Sequence, residues 1–180
     1  MGQYYHPISI EKEQYVLSHD FENGLKIMEH SWIGNNFVNV VMNMISKGGK
    51  WFKTKIVWAG DYANVEEGLD VNLYKKFYDN QIPKKDLAHE EQHKNQNRYL
   101  VNLTKKEYID LKKTEKNKDK WGWSIHPLPL MTCEGNGQGG GDFFGNDPDG
   151  LVGSWSRCVV VAQKTKPRNC KEIIFNLVVN

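Results

Sequence analysis

Arginine is scarce in this chain. Three arginines stand against a large excess of lysine, and the formal net charge is only +2. That balance leaves no basic footprint of the kind that holds a nucleic-acid backbone. Cysteine is scarce as well: Cys133, Cys158 and Cys170 are odd in number and lack metal-ligand spacing. They fit a reduced cytoplasm better than a disulfide scaffold. No apolar run is long enough to cross a bilayer. No Ser-His-Asp or Cys-His arrangement can be placed, so no catalytic residue is assigned and no cofactor or metal is expected.

Glycine, by contrast, is concentrated. Gly135-Asn136-Gly137-Gln138-Gly139-Gly140-Gly141-Asp142 holds five glycines in seven residues, followed by Phe143-Phe144. Ordering such a run is costly, because glycine loses the most backbone freedom on folding. Its N–H groups can line an anion cradle. The run is not a P-loop, since no Gly-Lys-Ser/Thr follows, and it is not a GxGxxG opening a helix.

Alternation over residues 3–10 predicts a strand, with a return strand from Tyr15 to Leu17 and a third at Leu25–Met28. Asn35 or Asn36 caps a helix near 35–46, carried by Phe37, Val40, Val41, Met44 and Ile45 and closed by Gly48-Gly49. Trp51 to Trp58 reads as a strand that ends in a Gly60-Asp61 corner. Residues 64–97 form a charged, lysine-rich insert with a short helix around Leu69–Phe77. His89-Glu90-Glu91-Gln92-His93 matches the HExxH zinc spacing. Its charged flanks read as a solvated helix face instead.

The chain then begins again. Tyr99–Ile109 echoes Ile8–Val16 at an offset of 93. Leu128–Met131 echoes Leu25–Met28, Gly137 echoes Gly34, and Val159–Ala162 echoes Ile56–Ala59 at an offset of 103. The expected fold is therefore α+β. It is a mostly antiparallel sheet of two pseudo-repeats, residues 1–63 and 98–180, separated by the insert 64–97 and forming one compact domain. Cys158 to Ala162 and Ile173 to Val179 are its last strands.

Three sets of residues are candidates for chemistry. Gly139, Gly140, Gly141 and Asp142 beside Trp155 and Arg157 offer amides and a guanidinium for phosphate and an indole for a base. Asp61 and Asp142, each following a glycine, would hold magnesium or act as acid and base if brought together. His19, His30 and Trp32 lie near the first connection.

Met1-Gly2-Gln3-Tyr4-Tyr5, Gly60-Asp61-Tyr62-Ala63, Gly139-Gly140-Gly141-Asp142 and Gly153-Ser154-Trp155 together resemble a group of small proteins of bacteria and their phages. The group carries an MGQYY start, a GRGGGD-like loop, a GSW segment and a GDYA corner, and brings no known activity with it. Gln138 stands here where the group has arginine. The resemblance implies a protein of the host cytoplasm that counters host defence. The expected function is binding of a phosphorylated small molecule, a nucleotide signal, with no membrane and with a host protein as a further partner. The alternatives are a metal-dependent phosphohydrolase using the paired aspartates, and a protein-binding inhibitor without a small ligand.

Overall fold

The computed structural model describes residues 2–179, so Met1 of the opening motif lies outside them. The fold is α+β and mostly antiparallel. The strands are β1 (Tyr5–Ser9), β2 (Gln14–Tyr15), β3 (Lys55–Gly60), β4 (Tyr99–Asn102), β5 (Glu107–Asp110), β6 (Cys133–Glu134), β7 (Cys158–Gln163) and β8 (Lys171–Glu172). Their order in the sheet is β2-β1-β3-β7-β4-β5-β8, with the short β6 parallel to β3. β8 pairs with β5 in parallel, and the remaining pairs are antiparallel.

The sheet is buried on both faces, and side chains alternate between one large cluster and two smaller ones on the opposite face, as the pleat requires. Ile56, Trp58, Leu100, Val160 and Ala162 face the larger core with Trp51 and Trp155. Val57 and Ala59 face the opposite side with Ile8 and Tyr15. Val101 and Val161 do the same in the other half.

The helices are α1 (Ile27–His30), α2 (Asn36–Met44), α3 (Leu73–Lys76), α4 (Ala88–Gln92), α5 (Leu111–Thr114) and α6 (Pro127–Thr132). The Asn35 side chain caps α2 by accepting from the Val38 N–H at 3.2 Å. Phe37, Val38, Val40, Val41, Met42 and Met44 are all buried, so this helix is held by the core on several sides. α3 is closed at its start by Asn72, whose side chain accepts from Lys75 N–H.

Several sequence expectations change here. Leu25–Met28 is not a strand: the segment enters α1, and its echo Leu128–Met131 lies in α6. Short apolar runs do not separate helix from strand by pattern alone. The strand read from Trp51 begins only at Lys55, because Lys53 has φ +60° and breaks the extended run. Ile173–Val179 is not a strand; its pairing ends with β8 at Glu172.

Three histidines are buried in this framework. His6 is stacked between Tyr15 and Tyr74 at ring-centroid distances of 4.1 and 3.9 Å. Burial holds its pKa down to about 3, that of His126 to about 3, and that of His30 to about 4. An unfolded imidazole titrates near 6.5. Above that pH both states are neutral and the histidines leave stability unchanged. As pH falls from 6.5 toward 4, the unfolded chain takes up protons that the folded one refuses. Stability should then fall by up to about 1.4 kcal/mol per pH unit for each histidine. Urea denaturation at pH 7, 6, 5 and 4.5 should show this decline; a midpoint constant to pH 4.5 would contradict it.

Candidate functional site

The glycine run is anchored, and its carboxylate points inward. Asp142 is 4% exposed. It accepts from the N–H of Gly137 at 2.7 Å and of Gly139 at 3.0 Å, and from the Tyr5 hydroxyl. Burial first, then the hydrogen bond to Asp142, push the Tyr5 phenol pKa far above its ordinary value. Gln3 is fully buried beside them. With its amide nitrogen facing the acceptors, it donates to Gly135 O and Asp142 Oδ1, both at 2.7 Å, and accepts from Tyr62 N–H at 3.2 Å.

The glycines make room for this glutamine. A Cβ on Gly60 or Gly135 would lie 2.3 Å from the end of the Gln3 side-chain amide, and one on Gly139 would lie 3.0 Å from Gln3 Cβ. Gln3 N–H also donates to Gly140 O. The amides at Gly137 and Gly139 therefore already hold an anion, the chain's own Asp142. The Gly2–Tyr5, GDYA and GGGD stretches meet around one buried glutamine, which gives their combination a structural reason.

The other predicted residues have partners of their own, and Arg157 also lines a small cleft with Gly135 and Gln138 of the loop. Asp61 accepts from Tyr4 N–H at 3.0 Å, a long-range contact that ties the end of β3 to the residue before β1 and closes no local turn. Trp155 is fully buried and donates from Nε1 to Glu107 Oε2 at 2.7 Å, so it offers no face to a base. Arg157 is shared between Glu66 and Glu134, with Nη1–Glu66 Oε2 at 2.9 Å and Nη2–Glu134 Oε2 at 2.9 Å. Two carboxylates thus meet its one charge. His30 is sealed in the core: Nδ1 donates to Gly24 O at 2.9 Å, and Nε2 accepts from Trp58 Nε1 at 2.9 Å. These partners fix a neutral tautomer and a structural role.

Trp32 is placed differently. It lines a cleft of about 760 Å³ together with Trp123, Asn35, Asn36, Lys118 and Glu115. The two indoles meet edge to face at 5.2 Å and 80°, a favoured aromatic geometry. Trp32 Nε1 donates to Met28 O at 2.9 Å, which fixes its ring. The opposite wall is a turn built by Asp119. Its Oδ1 accepts from Trp121 N–H at 2.9 Å and Trp123 N–H at 2.8 Å, and Gly122 adopts φ +83° between them. The turn leaves Trp121 73% and Trp123 54% exposed.

Paired bonds lock the two walls together: Ile33 N–H to Ser124 O and His126 N–H to Ser31 O, both 2.9 Å. The floor is the N-terminus of α2 at Gly34–Asn36. Partial positive charge from the helix dipole collects there. Sequence reasoning found Trp32 and missed its partner. The signal was present in Asp119-Lys120-Trp121-Gly122-Trp123, two large apolar rings held on a polar turn.

His89 and His93 flank a charged helix end, with ring centroids 4.0 Å apart. Between them Glu90 is turned inward and is 5% exposed, so the motif is not a fully solvated face. Among the described residues no group of three or more His, Cys, Asp or Glu is placed to hold a metal ion. No helix of the described residues is long and apolar enough to cross a membrane. Comparison of the chain with family models, with curated proteins and with solved structures returns no match.

Proposed function

We propose that the protein binds a phosphorylated aromatic small molecule, a nucleotide, in the cleft between Trp32 and Trp123. The observation that carries this reading is the cleft's composition. Two indoles, one of them half exposed, stand over the N-terminus of α2 with Lys118 at the rim. A base stacks on the open face of Trp123, and base–indole stacking is worth about 1–3 kcal/mol. The phosphate lies toward Gly34–Asn36 and Lys118, where the ammonium charge and the α2 dipole favour an anion. Glu115 on the same rim disfavours extra negative charge and accepts hydrogen bonds from sugar hydroxyls.

The cytoplasmic setting and a role in sequestering a host signal follow from the family resemblance, and they belong to this proposal. A protein partner is the second reading; the exposure of Trp121 beside the cleft favours it.

Thermal melting with a panel of mononucleotides and signalling dinucleotides tests the first reading. At least one nucleotide should raise the midpoint and quench tryptophan emission in a saturable way. Trp123→Ala should weaken that binding by roughly 5- to 150-fold. Flat melting curves across the panel would remove the reading.

A further inference from the structure

The hydrogen bonds of one half of the sheet recur in the other. Ile8 pairs with Tyr15 and Ser9 with Gln14; 93 places on, Val101 pairs with Tyr108 and Asn102 with Glu107. The left-handed residue of each hairpin lies at matching positions, Glu13 at φ +54° and Lys106 at φ +58°. For the third strand the shift is 104. Ser9 faces Ile56, and Asn102 faces Val160. Lys53 and Arg157, both at φ +60°, precede that strand. Trp51 N–H reaches Met44 O at 2.9 Å, and Trp155 N–H reaches Met131 O at 2.7 Å. At the centre Lys55 pairs with Val159, each the counterpart of the other. Left-handed backbone in lysine, glutamate and arginine is uncommon, so its recurrence at matching positions is not a product of strand pattern.

This correspondence relates two slots. Gln3, Ala59, Gly60 and Gly135 on one side match Gln96, Gln163, Lys164 and Gly48 on the other. The first slot is closed by the Gln3 amide and the Asp142 carboxylate. The segment that delivers Asp142 runs between Gly135 and Gly153, whose counterparts Gly48 and Gly49 are adjacent. The second slot therefore has no segment to fill it, and it is an open cavity of about 580 Å³. Its lining is basic: Lys47, Lys94 and Lys164 with His89 and His93. Lys164 Nζ donates to Gln96 Oε1 at 2.8 Å. Glu90 is the acidic lining residue; one of its carboxylate oxygens is sealed without a hydrogen-bond partner. It offsets one of the three lysine charges and leaves a positive excess.

We propose that the chain consists of two copies of one unit about an internal dyad, and that the open slot of the second copy binds an oxyanion. That anion, a phosphate or a carboxylate group, takes the place that Asp142 fills in the first copy. Lysines at the rim supply the attraction, and the His89 imidazole and the Gln96 amide supply donors, His93 Nδ1 being already donated to His89 O at 2.7 Å.

The test is an NMR titration of the full chain at fixed pH, following the His89 and His93 imidazoles and the Gly48 amide. Sodium phosphate and sodium citrate are added separately, each against sodium chloride at matched ionic strength. The expected result is a saturable shift at these three residues that sodium chloride does not reproduce. Saturation by phosphate assigns a phosphate group, and saturation by citrate a carboxylate. A Lys47→Glu, Lys164→Glu variant should weaken the response by about ten-fold or more. Both lysines are exposed, and Lys47→Gln, Lys164→Gln serves if the first variant folds poorly. Lys118→Glu, in the tryptophan cleft, should leave this response intact, so failure here is separable from failure of the nucleotide reading. Shifts that match sodium chloride, or a variant that saturates as the wild type does, would overturn the proposal.

Discussion

Asp142→Ala should destabilise the protein by about 3–5 kcal/mol, a fall of roughly 6–20 °C in midpoint for a domain of this size. The substitution removes the acceptor for two backbone N–H groups, a buried phenol and the Gln3 amide at once. Left inside, those donors bear the full cost of desolvation with no partner. Asp142→Asn should cost less, because one oxygen still accepts while the new NH2 faces donors. Hydrogen exchange should show the loss first at Gly137 and Gly139. A midpoint within 2 °C of wild type, allowing roughly 0.5–1 kcal/mol, would mean that the loop is not organised by this carboxylate.

Trp155→Ala carries the second large effect, again about 3–5 kcal/mol. Trp155 is fully buried in the larger core. Truncation opens a cavity the neighbouring strands cannot close, and it takes the indole donor away from Glu107. Trp155→Phe should cost less, since most of the ring volume returns. Trp123→Ala provides the contrast: its side chain is half exposed, so stability should change by no more than about 0.5 kcal/mol. Chemical denaturation of the three variants separates the roles. Equal destabilisation by Trp155→Ala and Trp123→Ala would place Trp123 in the structural core and not at a binding surface.

That contrast also shows what could be read from the chain. The α+β class, the β1–β2 and β4–β5 hairpins and the helix at Asn36–Met44 follow from alternation, capping and helical spacing, which are local. Leu25–Met28 failed because four apolar-rich residues suit α1 as well as a strand. The offset of 103 read for the third strand becomes 104 in the ladder, since register is set by hydrogen bonds that spacing does not display.

The glycine loop was legible as a special segment but not as to its use. Nothing near Asp142 in sequence says that Gln3, more than a hundred residues earlier, occupies the space the glycines leave. Trp155 lies close to the loop along the chain, yet its partner Glu107 comes from β5, and Arg157 is taken up by the distant Glu66 and by Glu134, the residue just before the loop. Trp32 was marked by its neighbours in sequence. Trp123 was hidden at the end of a lysine-rich stretch, and it became a candidate only when the backbone bonds at Ser31 and Ile33 brought it across.

The central claim is that a nucleotide sits in the Trp32–Trp123 cleft. Mass spectrometry of small molecules released from purified protein tests it most directly, with a Trp123→Ala, Lys118→Glu variant as comparison. Both positions are solvent-facing, so the variant should remain folded by circular dichroism and melting. The prediction is a nucleotide released from the wild type and absent from the variant. A wild type that releases none, or a variant that carries the same nucleotide in equal amount, would contradict the account and leave the exposed indoles to a protein partner.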